Sequence, residues 1–275
     1  MELAGKNGLV LGASRGIGLA TARALAARGV RLALTWYDWP EASKKMRDEF
    51  AAMSDEHLVV RVDLRRPQEV RQLLDRIGSR FGNLHILVNN IERGGMPVVH
   101  GSYQRQVNRD QWQREMETTL RAKWLVFEQS LPLLRAARQA AVVNISSIAG
   151  IVGRSGPAGL LFNDGYAAAN RGVSSFTETW ARLGAPSIRV NEIMLGIIES
   201  RHGPGTRGWD LLSAEQKRDL LAHTLLGRTG TTQEVVRAIL FLLEDADFMT
   251  GSVIRLDGGY VLGAERVPAM PEGVI

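Results

Sequence analysis

Seven residues near the amino end, Gly12-Ala13-Ser14-Arg15-Gly16-Ile17-Gly18, have the spacing to grip a phosphate. Glycines at 12, 16 and 18 let a backbone turn sharply and come close to a pyrophosphate. A helix starting there would add unpaired N–H groups and the positive end of its dipole. The turn stands between an apolar run and an amphipathic stretch, the strand–turn–helix context that makes a glycine pattern specific for a dinucleotide. Other chemistries are missing. The chain has no cysteine, which excludes thiolate catalysis and disulfides. No His and carboxylate group has metal-ligand spacing, so no metal is expected. No basic run is interleaved with aromatics, which argues against nucleic acid. The net charge of +5 comes mostly from scattered arginines. It fits a solvated surface, or attraction for anionic ligands such as dinucleotides and acyl thioesters.

The elements that position this turn follow from periodicity. Apolar runs at 8–11, 32–36, 58–62, 86–88, 142–145, 188–193 and 253–256 read as buried strands. Amphipathic stretches between them, for example 16–28, 68–81, 112–135, 166–183 and 232–243, read as helices. This alternation predicts an α/β fold, a Rossmann-like doubly wound parallel sheet with helices on both faces. No repeat or low-complexity linker divides the chain, so one domain is expected over 1–263, with a tail over 264–275 that has no helical period. Ligands in such sheets bind beyond the carboxyl ends of the strands. Three long segments that follow strands, 92–111, 150–165 and 201–211, are therefore expected over the site. They carry His100, Tyr103, His202 and Trp209, read as loop packing before ligand contact. No apolar run is long enough to span a bilayer and no signal-peptide pattern is present, so a cytoplasmic location is expected.

Over roughly residues 6–263 the sequence resembles the short-chain dehydrogenase/reductases. The glycine turn matches their Gly-x-x-x-Gly-x-Gly. Val62-Asp63-Leu64 matches the adenine-binding aspartate after the third strand, and Leu87-Val88-Asn89-Asn90 the start of an Asn-Asn-Ala-Gly element. Leu195-Gly196-Ile197-Ile198-Glu199-Ser200 is similar to the stretch beside the nicotinamide. Leu226-Gly227-Arg228-Thr229-Gly230, Met249-Thr250-Gly251 and Leu256-Asp257-Gly258-Gly259 match the C-terminal signature. The nearest resemblance is to the 3-oxoacyl-thioester reductases that act on acyl-carrier-protein substrates.

The resemblance implies a cofactor site made by Gly12, Ser14, Arg15, Gly16, Ile17, Gly18, Trp36, Asp63, Leu64, Asn89, Asn90, Tyr166, Asn170, Gly196, Ile198 and Ser200. An acid at the end of the second strand binds ribose hydroxyls of NAD and repels a 2′-phosphate. That place is Trp36, and Arg15 offers a cation to a phosphate, while Asp38 argues the other way. NADP(H) is therefore favoured, with NAD(H) open. The resemblance also implies a homo-oligomer, a tetramer or dimer, paired through the helices at 112–135 and 166–183 and through the last strand.

Hydride transfer to a carbonyl needs an acid to protonate the forming alkoxide. In the family a tyrosine does this, a serine holds the carbonyl oxygen, and a lysine four residues after the tyrosine holds the ribose. An asparagine on the preceding helix completes a water relay. Here Ser147 and Tyr166 match the first two. The lysine is Asn170 and the asparagine is Thr119, and the serine-to-tyrosine loop is six residues longer than usual. A tyrosine with an ordinary pKa of about 10 is still protonated at neutral pH, so the missing lysine impairs oxidation more than reduction. Lys123 lies one helical turn after Thr119 and is a candidate replacement cation, or else a lysine reaching to solvent. Three functions remain open: a reductase of a carbonyl or activated alkene in a hydrophobic or acyl substrate, a silent dinucleotide-binding homologue, and an enzyme using the nicotinamide for another reaction such as epimerisation.

Overall fold

The computed structural model describes residues 1–37, 39–91, 112–200, 207–210, 212–265 and 267–273. Seven strands form one all-parallel sheet: β1 (Asn7–Val10), β2 (Arg31–Trp36), β3 (Leu58–Arg61), β4 (Ile86–Asn89), β5 (Ala140–Ser147), β6 (Ile188–Leu195) and β7 (Val253–Leu256). Their spatial order is β3-β2-β1-β4-β5-β6-β7. The chain moves outward from β1 in one direction and then from β4 in the other. The crevice beyond the carboxyl ends of β1 and β4 is thus the topological switch point, where ligands of such sheets lie.

Helices α1 (Gly16–Ala26), α2 (Pro40–Met53) and α3 (Pro67–Phe81) follow the first three strands. Helix α4 (Ala122–Ala136) precedes β5, α5 (Asp164–Gly184) precedes β6, and α6 (Ala214–His223) and α7 (Thr232–Glu244) precede β7. One core joins α1, α2 and α7 to one sheet face through Leu25, Met46, Phe50, Val88 and Ile239. The other joins α3, α4 and α5 to the opposite face through Leu73, Phe127, Val142 and Trp180. Each fully buried side chain of this size contributes roughly 1.5–3 kcal/mol by leaving water. A third cluster lies beyond the strand ends, where Ile148, Phe162, Met194, Ile197 and Trp209 pack around Tyr166.

Two expectations need correction. The strands at 58–61 and 253–256 are partly exposed rather than buried, because β3 and β7 are the two edges of the sheet. The helix expected over 112–135 is not uniform. It passes through a π-helical stretch, Met116–Arg121, before α4. There the Thr118 hydroxyl donates to the Arg114 carbonyl at 2.6 Å, a side-chain bond that competes for a helix carbonyl. The long segment before α5 holds two single turns, Ala149–Val152 and Pro157–Leu160. Gly150 in the first lies so close to α5 that a Cβ would come within 2.8 Å of the Arg171 nitrogen. His100, Tyr103, His202 and Asp38 lie outside the described residues.

Candidate active site

The turn after β1 is shaped by what a side chain would strike. A Cβ on Gly12 would lie 2.5 Å from the Asn90 carbonyl, and one on Gly18 would lie 2.2 Å from the Gly12 carbonyl. Gly12 and Gly16 also have φ of +64° and +54°, where an L side chain is strained. Helix α1 starts at Gly16 behind an extended Arg15, with no side chain capping its first amides. Those amides face a groove of about 190 Å³ lined by Gly12, Ser14, Arg15, Gly16, Ile17, Trp36, Tyr37, Trp39, Asn90, Ile91 and Ser200. A second cavity of about 340 Å³ shares Gly12, Trp36, Tyr37 and Ile91 with it and extends past Val62, Asp63, Leu64, Arg65, Arg114 and Thr118. The glycine cradle and uncapped amides fit a pyrophosphate, and the adjoining cavity fits a base.

Several expected cofactor residues play parts that sequence spacing does not reveal. Asn89 points into the core, where its Nδ2 donates to Asn144 Oδ1 at 2.8 Å. Gly196 lets β6 pass the turn at 257–259, since a Cβ would lie 2.6 Å from the Asp257 Cα. Ile198 bridges to Gly230. Asp63 is buried, and both of its oxygens are forked by Arg65, at 2.8 and 2.7 Å. That fork holds its carboxyl below the usual carboxylate range.

Arginines and aromatic rings crowd the end of β2. Arg15 lies 3.9 Å over the Trp39 ring. Arg47 lies 5.4 Å over Trp36, and Arg61 lies 5.2 Å over Tyr37. Ring faces attract such cations. Sequence reasoning identified Arg15 and Trp36 but missed Tyr37, Trp39, Arg47, Arg61 and Arg65. The only signals were the aromatic run around residue 37 and the Arg65-Arg66 pair after Asp63.

Ser147 ends β5, and its Oγ accepts from the Ala149 nitrogen at 3.2 Å. Tyr166 opens α5, fixed by the helix cap Asn163, whose Oδ1 accepts from the Tyr166 nitrogen at 2.7 Å. Its ring packs 5.8 Å from that of Phe162. Trp209 belongs to the same apolar cluster. Asn170 is fully buried on the Tyr166 side of α5, and its Nδ2 donates to the Tyr166 carbonyl at 2.9 Å. Its Oδ1 has no partner among the described residues, leaving an acceptor for a hydroxyl. Thr119 lies buried in the π-helical stretch and donates to Glu115 Oε2 at 3.0 Å. Lys123 is 1% exposed, so its ammonium does not reach solvent. Among the described residues no group of His and acids is arranged to hold a metal ion.

Residues 12–261 match the family model described as enoyl-(acyl carrier protein) reductase. The chain is 33% identical over 264 residues to the 3-oxoacyl-(acyl-carrier-protein) reductase of Salmonella typhimurium, covering 94% of this chain and 98% of the relative. It is 30% identical over 271 residues to the reductase of that name from Thermotoga maritima, covering 95% and 100%. With the one from Staphylococcus aureus strain Mu50 it shares 29% identity over 256 residues, covering 92% and 97%.

Proposed function

The chain belongs to the short-chain dehydrogenase/reductase family, and on that premise we propose that it reduces the carbonyl of a 3-oxoacyl or related hydrophobic substrate with NADPH. The observation that carries this reading is the uncapped glycine cradle of α1, set at the same sheet edge as Ser147 and Tyr166. When bound, the dinucleotide supplies the hydride. Ser147 holds the carbonyl oxygen by its hydroxyl, and Tyr166 gives its phenolic proton to that oxygen as charge develops. Asn170 offers its amide oxygen to a ribose hydroxyl. The apolar side chains around Tyr166 keep water from the reacting carbon.

The test is to mix the full chain with NADPH and a 3-oxoacyl thioester and follow cofactor oxidation. Turnover supports the reading. Tight NADPH binding without turnover on any carbonyl would favour the silent homologue, which the replacement of the family lysine by Asn170 also favours.

The arginine-rich end of β2 suits a 2′-phosphate. Arg15→Ala is expected to weaken NADPH about tenfold more than NADH, the scale of one charge-assisted hydrogen bond. Fluorescence titration of both cofactors checks this, and equal losses would remove Arg15 from phosphate recognition.

Lys123 is the cation we assign to the electrostatic role of the missing lysine. Its ammonium is buried, one helical turn after Thr119. Lys123→Met, similar in length and apolar, is expected to lower turnover about tenfold and to move the alkaline limb of the rate upward, because a nearby cation favours phenolate. An unchanged pH profile would end this assignment.

A homo-oligomer is expected through α4 and α5, which expose Trp124 and Leu183, and through edge strand β7, which exposes Val253. Solution scattering at micromolar concentration should return a multiple of the 30.2 kDa chain mass. No helix among the described residues is long and apolar enough to cross a membrane. Action in the cytoplasm fits the absence of cysteine.

A further inference from the structure

Strand β6 carries one acid, Glu192, in its buried stretch, and none of the chemistry assigned to Ser147 and Tyr166 uses it. Glu192 is fully buried. Its Oε1 accepts from Ser146 in a short contact and from Ser174 Oγ at 3.0 Å. Its Oε2 lies 3.1 Å from Thr177 Oγ1. Ser146 immediately precedes Ser147 in β5. Thr177 lies eleven residues after Tyr166 on α5, within about 20° of it on a 3.6-residue period. One side chain thus ties the strand that ends in Ser147 to the helix that opens with Tyr166.

The protons can be counted. Thr177 Oγ1 accepts from Asn144 Nδ2 at 2.9 Å and has two acceptors within reach, Glu192 Oε2 and the Val173 carbonyl at 3.1 Å. Its single proton serves only one of them. If Glu192 keeps a proton on Oε2, that proton goes to Thr177 and the threonine proton to Val173; if Glu192 is ionised, the threonine proton goes to Oε2. Full burial of the carboxyl favours the first arrangement. Ser146 and Ser174 then donate to Oε1, and every donor has one acceptor. Burial pushes the Glu192 carboxyl up, against the opposing pull of the three hydroxyls and of Lys123.

The charged groups around it are few. Lys123 faces it from α4, and the buried acid Glu115 lies two turns earlier, ahead of the π-helical stretch. Strand β5 presents only Ser146 and Asn144. Arg255 of β7, with Arg171 and Glu178 of α5, lines a cavity of about 570 Å³ that Ser174 and Met194 also border.

We propose that Glu192 is a positioning residue that works as a neutral carboxylic acid, clamping Ser146 of β5 to Ser174 and Thr177 of α5 and so fixing Ser147 against Tyr166. The catalytic half of this rests on the reductase reading. The hydrogen-bonding half does not.

The test compares Glu192→Gln and Glu192→Met in the full chain. Glutamine reproduces the neutral pattern, its oxygen accepting from both serines and its N–H donating to Thr177. Methionine removes all three bonds. With a 3-oxoacyl thioester and NADPH, Glu192→Gln is expected to keep kcat within about threefold, while Glu192→Met loses about 100-fold, the cost of a reacting group misplaced by about 1 Å. NADPH affinity should stay unchanged in both. Of the wild-type loss of rate at alkaline pH, the part that belongs to ionisation of Glu192 should be absent in Glu192→Gln, while the part that belongs to Tyr166 stays.

Two readouts do not need activity. The infrared C=O stretch of an un-ionised carboxyl should be present in the wild type at neutral pH and absent in Glu192→Gln. Amide hydrogen exchange over 144–147 and 166–177 should rise in Glu192→Met and not in Glu192→Gln. Absence of the infrared band, or a folded Glu192→Gln as slow as Glu192→Met, would overturn the neutral acid. Wild-type kcat and exchange in Glu192→Met would overturn the clamp. If Glu192→Met does not fold, Ser174→Ala removes one arm, and it should raise exchange in the same segments or the clamp fails. A wild type that shows the band and protected segments but reduces no carbonyl would sink the reductase reading and leave the clamp standing.

Discussion

Tyr166→Phe should reduce carbonyl turnover by about 10²–10⁴-fold, the range of a positioned general acid, with NADPH affinity changed little. The substitution removes one oxygen. The ring stays against Phe162 in the apolar cluster beyond the strand ends, and the helix cap is untouched, because Asn163 binds the Tyr166 backbone nitrogen and not its side chain. The Asn170 amide likewise holds the Tyr166 carbonyl. Phenylalanine should therefore leave α5 in place and delete only the proton donor. Steady-state rates with NADPH, set beside a fluorescence titration of NADPH alone, separate the two effects. A variant that retains more than about a tenth of wild-type kcat would place the proton donor elsewhere.

Gly16→Val should lower dinucleotide affinity at least about 100-fold, or about 2.7 kcal/mol, while the chain stays folded. The φ of +54° at this position costs an L residue roughly 1–2 kcal/mol, and a β-branched one suffers most. A bare Cβ would have room, lying 3.5 Å from the Ser200 Cβ, an ordinary contact. The valine methyl groups, however, would enter the groove between the α1 amides and Ser200. The damage should fall on the ligand more than on the fold. Gly18→Ala is the contrast, because its Cβ would meet the Gly12 carbonyl at 2.2 Å and force the turn itself apart. Calorimetric titration with NADPH and thermal melting of both variants should show loss of binding with modest destabilisation for Gly16→Val, and marked destabilisation for Gly18→Ala. Unchanged NADPH affinity in Gly16→Val would remove the turn from cofactor binding.

Much of this was legible in the residue order because its causes are local. Apolar alternation placed the seven strands, and the glycines of residues 12–18 specified a tight turn before a helix wherever that helix packs. The identities at 147 and 166 match two of the four catalytic positions that the family resemblance implies, and those at 170 and 119 depart from the other two. The partners of each side chain were decided by the tertiary structure. Asp63 reads from the sequence as an adenine contact, and only the fold shows that Arg65, in the turn after β3, forks both of its oxygens. Asn89 and Asn90 are neighbours in sequence, yet the strand pleat sends the first to Asn144 in the core and leaves the second at the groove. Lys123 has two readings on a helical wheel, and packing of α4 against the sheet selected the buried one. Glu192 gains meaning only when β5, β6 and α5 meet, since its three hydroxyl partners lie 46, 18 and 15 residues away. Periodicity fixes which face of an element is buried. Strand order and helix placement fix what that face meets, and no single segment of the sequence encodes them.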